Sequence, residues 1–135
     1  MALKISLKPH ERLIIGGAVI ANGNTRSDFV VENNVPILRE KDIMSLKDAD
    51  SPCRQIYFSI QLMYVNEKDL AEHHKTYWQL VKDVLQAAPS TRELIAVISE
   101  RILHNQYYLA LKATRKLIEY EQEVIKNVRS ANGNI

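Results

Sequence analysis

At 135 residues, 46% of them hydrophobic, and with a net charge of +2, the chain can bury a core without a metal or disulfide staple, and it is too nearly neutral to hold nucleic acid by whole-molecule attraction. Its single cysteine, Cys53, excludes an intrachain disulfide and fits a reducing compartment. No run approaches the roughly 20 apolar residues that cross a bilayer, and Met1-Ala2-Leu3-Lys4-Ile5 alternates instead of opening an apolar signal core; the expectation is a cytoplasmic protein without a membrane partner.

The first 50 residues read as short strands. Leu3 to Lys8 alternates apolar and polar side chains, the period of a strand with one dry and one wet face. Pro9-His10 interrupts it, and Arg12 to Ile15 resumes a strand that stops at the turn pair Gly16-Gly17. A third run, Ala18 to Ala21, ends at Asn22-Gly23, which predicts a tight hairpin turn. Thr25 to Glu32 and Ile37-Leu38 supply a fourth and a fifth strand.

At Ser51-Pro52 the period changes. Serine followed by proline suits an N-cap and first helical position, and Ile56, Ile60 and Met63 then fall at helical spacing. Asn66 with Asp69 is placed to cap a second helix carrying Leu70, Tyr77, Val81, Val84 and Leu85, which Pro89 ends. Ser90-Thr91-Arg92-Glu93 fits a capping box before Leu94, Val97, Ile98 and Ile102. Residues 91–128 suit one long helix or two joined near His104-Asn105, and the polar tail Ser130–Ile135 is expected to fray. The expected fold is α+β: an antiparallel β module of about five short strands over 1–50, then a bundle of three to four helices over 51–135.

No nucleotide-binding loop or nucleophile-elbow motif occurs, so the reading is a non-enzyme without a cofactor. His73 and His74 point about 100° apart on a helix, whereas paired helical ligands want a spacing of three or four. Cys53 sits on a first helical turn, where a dipole can lower a thiol pKa, but an idle buried thiol is the simpler expectation. The basic stretch from Arg101 to Lys116 reads as a solvated helix face that Glu119, Glu121 and Glu123 can pair with. The first strand is the better nucleic-acid candidate: Lys4, Ser6 and Lys8 share its outward face, where lysine and serine can bond phosphates and base edges.

The segments LKISLKPHER at Leu3–Arg12, IIGGAVI at Ile14–Ile20 and VPILREKDI at Val35–Ile43 resemble FlbT, the flagellum biosynthesis repressor family of alphaproteobacteria, across essentially the whole chain. That resemblance implies post-transcriptional control: binding at the 5′ untranslated region of flagellin mRNA, limiting translation and promoting decay, with a FlaF-type flagellin-associated protein as companion. Some members of the family act positively.

The front half is also similar to the RNA-binding regulator CsrA, a small β-stranded dimer. Leu3, Ile5, Glu11, Leu13, Ile15 and Gly16 match its opening and Arg39-Glu40 its later arginine-bearing segment, while Leu7 replaces one of its paired arginines and His10 its turn glycine. This likeness implies RNA contact through Lys4, Ser6, Lys8 and Arg39. Uncovered sheet edges suggest a homodimer or higher homo-oligomer. The rival expectation is an adaptor whose helical aromatics, Tyr57, Phe58, Tyr64, Tyr77, Trp78, Tyr107 and Tyr108, dock a flagellar assembly or secretion protein.

Overall fold

The computed structural model describes the backbone of residues 2–133 and side chains through Ser130. The chain divides into two compact units, Met1–Ile43 with Tyr64–Lys68 and Met44–Met63 with Asp69–Ile135.

The first unit holds five short strands: β1 (Leu3–Leu7), β2 (Arg12–Ile15), β3 (Ala18–Ala21), β4 (Ser27–Val31) and β5 (Ile37–Arg39). They form two antiparallel sheets, β1-β4 and β3-β2-β5. Alternation drives the first: Ile5 and Leu7 point into the core, while Lys4, Ser6 and Lys8 stay on the wetter face. Both sheets supply the same small core, Ile5, Leu7 and Leu13, against which Phe29, Val31 and Ile37 pack.

The turns differ in part from expectation. Gly16 and Gly17, at φ 54° and 89°, close the β2–β3 hairpin with the two positive φ angles such a two-residue turn needs. Gly23 has no positive φ, and Asn22-Gly23 is not a hairpin turn, because β3 pairs only with β2 and β4 returns to β1. Asn22 instead holds the connection from inside: its Nδ2 donates to the Lys8 carbonyl at 2.8 Å and the Thr25 carbonyl at 3.0 Å, and its Oδ1 accepts from Ser27 Oγ at 2.8 Å. An asparagine beside a glycine signals a turn locally, but its amide can serve three strand ends at once.

Four helices follow: α1 (Pro52–Val65), α2 (Leu70–Ala87), α3 (Arg92–Leu103) and α4 (Tyr107–Gly133). Ser51 caps α1, its Oγ accepting the Arg54 N–H at 3.2 Å. The last residues of α1 belong to the first unit, where the Tyr64 hydroxyl bonds both the N–H and the C=O of Ile37 and so closes the outer edge of β5.

Asp69 occupies the N-cap of α2 without a side-chain cap bond; Asn66 is spent on the Lys68 N–H instead. The capping box at Ser90 and Glu93 does not form. Helix α3 begins two residues after Ser90, whose hydroxyl bonds the Tyr120 hydroxyl, and Thr91 turns back to the Ala88 carbonyl at 2.7 Å. The buried stripe of α3 is Ile95, Ile98 and Ile102, not Leu94 and Val97; Val97 is 53% exposed.

Residues 91–128 are two helices. Asn105 takes φ 58°, the Gln106 N–H reaches back to the Arg101 carbonyl at 2.8 Å and the Asn105 N–H to the Ile102 carbonyl at 3.0 Å. This is a Schellman stop with asparagine in glycine's usual place. In the expected tail, α4 continues to Gly133, and Asn134 and Ile135, like Met1, lie outside the described residues.

Candidate nucleic-acid interface

The β1–β4 register pairs Ser6 with Asp28 and Leu7 with Ser27. The ladder ends there, with Lys8 the next residue after β1 and Arg26 the residue before β4. Both line an open cleft of about 820 Å³ in the first unit, with Ser6, Arg39 and Lys41. Three of the four residues expected at an RNA site, Ser6, Lys8 and Arg39, therefore share one cleft. Lys4 lies on the same face of β1, opposite Val30, but does not line it.

Acidic groups in and around the cleft are already engaged. Glu11 Oε1 accepts the Lys8 backbone N–H at 2.9 Å, and its other oxygen lies 4.0 Å from Arg39 Nη2. Glu40 Oε1 lies 3.8 Å from Arg12 Nε. Asp28 accepts the Ser6 hydroxyl, so Ser6 does not present a free side-chain donor. No ion pair engages Lys8 or Arg26 among the described residues. Like charges gathered in one cleft disfavour each other, and an anion such as a phosphate bound among them relieves that repulsion.

Arg39 has a further task. Its Nη2 donates to the Ser6 carbonyl at 2.8 Å, satisfying a backbone acceptor on β1, whose one strand neighbour among the described residues is β4. Arg39 thus ties β5 to β1 as well as lining the cleft. His10, where the CsrA-like pattern has glycine, takes φ 63°. The backbone keeps the left-handed turn and a histidine occupies it, on the cleft wall.

The other candidates are otherwise employed. Burial, helped by the neighbouring Glu121 carboxylate, pushes the Cys53 thiol up to about 12. His74 Nε2 meets the Tyr107 hydroxyl at 3.1 Å, and no cluster of three metal-ligating side chains occurs among the described residues. In the basic stretch, Lys112 lies over the Tyr108 ring and Arg115 over the Tyr57 ring. Glu121 does not pair with that stretch; it accepts the Ser51 hydroxyl and the Cys53 N–H at the start of α1. Tyr57 and Tyr77 are buried, whereas Trp78 is 41% and Tyr108 37% exposed.

Sequence reasoning missed Arg26 and Lys41. Arg26 becomes visible once Thr25–Glu32 is paired antiparallel with Leu3–Lys8.

The family described as Flagellar protein FlbT matches residues 3–125. The chain belongs to the FlbT family. This FlbT chain is 45% identical over 125 residues to the probable flagellum biosynthesis repressor protein FlbT 1 of Bradyrhizobium diazoefficiens, covering 92% of the chain and 85% of that protein. It is 40% identical over 125 residues to the probable flagellum biosynthesis repressor protein FlbT of Rhodopseudomonas palustris, covering 93% and 98%. It is 36% identical over 132 residues to the flagellum biosynthesis repressor protein FlbT of Caulobacter vibrioides, covering 96% and 94%. No solved structure matches it, and no helix among its described residues is long and apolar enough to cross a membrane.

Proposed function

We propose that this FlbT protein is a regulator of flagellum biosynthesis that acts after transcription, in the cytoplasm, by binding the 5′ untranslated region of flagellin mRNA, so that translation is repressed and the message decays. The site has no part that must perform chemistry; occupancy of the leader changes ribosome and nuclease access.

The observation that carries this reading is one open cleft lined by Lys8, Arg26 and Arg39, in which no ion pair engages Lys8 or Arg26 among the described residues while Glu11 is held by the Lys8 backbone N–H and Arg39 and Glu40 by Arg12. Cations set this way suit a phosphate backbone, and the neighbouring strand edges suit unpaired RNA. Family membership supplies the flagellar setting, since the relatives are named flagellum biosynthesis repressors.

The test is titration of the protein with a flagellin leader RNA at several salt concentrations. Lys8→Ala and Arg26→Ala weaken binding, and each flattens the salt dependence by about 0.7 in log–log slope, the value for one lost single-strand phosphate contact. Lys4→Ala, outside the cleft, has a smaller effect, and Lys75→Ala on α2 serves as control. Wild-type affinity and slope in both Lys8→Ala and Arg26→Ala would remove the cleft from the RNA site. If the folded wild-type protein binds no leader RNA, the adaptor reading takes its place.

A further inference from the structure

From Gln122 to Ser130 every residue of α4 is exposed. Successive helical residues turn by 100°, so Val124, Ile125 and Val128 fall within one 100° sector, in line with buried Leu117 about two to three turns earlier. The face that packs inside the second unit thus continues along the helix after its covering ends, leaving Val124 41%, Ile125 42% and Val128 55% exposed. Soluble helices ordinarily turn a polar face to water.

Beside this stripe lies an open groove of about 410 Å³ between the start of α1, the end of α2 and α4. Its walls include Pro52, Val84, Ala87, Tyr120, Val124 and Ile125, and its acids are Asp83 and Glu121. After Glu123 the charged side chains of α4 are Lys126 and Arg129 only. Arg129 falls about 40° beyond Ile125, at the margin of the stripe. One end of the helix is apolar with a cationic margin; the groove at its base is apolar with the exposed acid Asp83 on its rim, while the Glu121 carboxylate is turned to the start of α1.

We infer that α4 is a self-association element: two copies pack their α4 C-terminal turns antiparallel about Val124 and Ile125, each seating Val128 over the other's groove and its Arg129 at the other's Asp83. The same chain supplies both complementary halves, and a twofold axis satisfies both at once, as isologous dimers require. Nine residues of helix span only about 13 Å. The tips alone therefore fall short of the roughly 800 Å² per partner of a standard interface, and the pairing needs the two grooves as well. The surface lies in the second unit and is independent of the RNA reading.

The test is the oligomeric state of the whole protein, measured by light scattering and sedimentation, with circular dichroism to follow helix content. Wild type sediments as a dimer, and Val128→Glu, at an exposed position, shifts it to monomer with its helices intact. Asp83→Lys and Arg129→Glu each weaken dimerisation by about tenfold or more, because each sets like charges face to face. Mixing the two single variants restores a heterodimer. The lysine introduced in one copy then meets the glutamate introduced in the other, and the unaltered Arg129 of the first meets the unaltered Asp83 of the second.

A wild-type protein that stays monomeric at about 100 μM, well above the range of specific homodimers, overturns the inference. So does a dimer indifferent to Val128→Glu. If the mixture of Asp83→Lys and Arg129→Glu gives no more dimer than either variant alone, the antiparallel pairing is wrong.

Discussion

Glu121 joins the two ends of the helical unit, and its replacement by alanine should be among the costliest changes to a side chain that is not fully buried. Its Oε2 accepts the Cys53 N–H at 3.1 Å and its Oε1 accepts the Ser51 hydroxyl. Ser51 in turn accepts the Arg54 N–H at 3.2 Å. Two orphan donors of the first turn of α1 are therefore satisfied, one directly by a carboxylate from α4 and one by a serine that this carboxylate orients.

A hydrogen bond to a charged group contributes about 1.5–3 kcal/mol, and its loss beside buried Cys53 leaves an amide short of a partner. Water replaces the Ser51 contact more readily. Glu121→Ala should therefore cost about 2–3 kcal/mol, and Glu121→Gln, which keeps an acceptor without the charge, about 1 kcal/mol. Urea unfolding followed by fluorescence of the single tryptophan, Trp78 on α2, reports this unit. A Glu121→Ala midpoint equivalent to less than about 0.5 kcal/mol of destabilisation would refute the capping argument.

The same contact bears on Cys53, whose thiol is pushed up to about 12. A raised acid pKa in the fold stabilises the protein below the unfolded value near 8.5, and that contribution is lost as pH climbs toward 12, at about 1.4 kcal/mol per pH unit. Wild type should lose stability over this window more steeply than Cys53→Ala, and its folded thiol should resist alkylation at pH 8. The Gly16-Gly17 turn should divide sharply. Gly17→Ala sets a Cβ 3.0 Å from the Val65 carbonyl at φ 89° and should cost more than about 1 kcal/mol, whereas Gly16→Asn, at φ 54° with open space, should cost less than about 0.5 kcal/mol, both read by thermal unfolding. His10→Gly should leave stability unchanged or raise it by up to about 1 kcal/mol, because the left-handed φ of His10 is relieved while the unfolded chain gains freedom.

Strand β1 was legible because burial imposes its period directly on sequence: Ile5 and Leu7 are dry, Lys4 and Lys8 are wet, and the alternation says so, whereas β3, exposed throughout, was legible from its β-branched residues and the Gly16-Gly17 turn before it. Pairing was less legible. Asn22-Gly23 carries the local chemistry of a hairpin, yet whether β4 turns back on β3 or crosses to β1 depends on core residues that both arrangements could bury. Arg26 was invisible for the same reason, since its place in the cleft that Lys8 lines exists only once β1 and β4 are paired. Ser90 and Glu93 show a related limit: a capping box competes with every other partner of the serine, and here the Tyr120 hydroxyl, thirty residues away, wins. Asn105 stops α3 in a conformation asparagine tolerates but does not announce.

The cleft contains two kinds of cation, and they should respond oppositely to removal. Arg39 bonds the Ser6 carbonyl at 2.8 Å and lies 4.0 Å from Glu11, so Arg39→Ala strips a strand edge of its donor and should destabilise the fold by about 1–2 kcal/mol. Any loss of RNA affinity in that variant mixes damage to the site with damage to the sheet. Lys8 and Arg26 line one cleft with no ion pair engaging either among the described residues, and repulsion between neighbouring like charges costs a few tenths of a kcal/mol up to about 1 kcal/mol. Lys8→Ala or Arg26→Ala should therefore leave the free protein as stable as wild type or slightly more so, while RNA binding falls. That combination distinguishes a cation kept for a ligand from one kept for the fold, because a purely structural residue cannot be removed at no cost to stability. Lys8→Ala and Arg26→Ala proteins that unfold at lower urea than wild type would show that the two cations hold the sheet together, and the cleft would then lose its claim to an anionic partner.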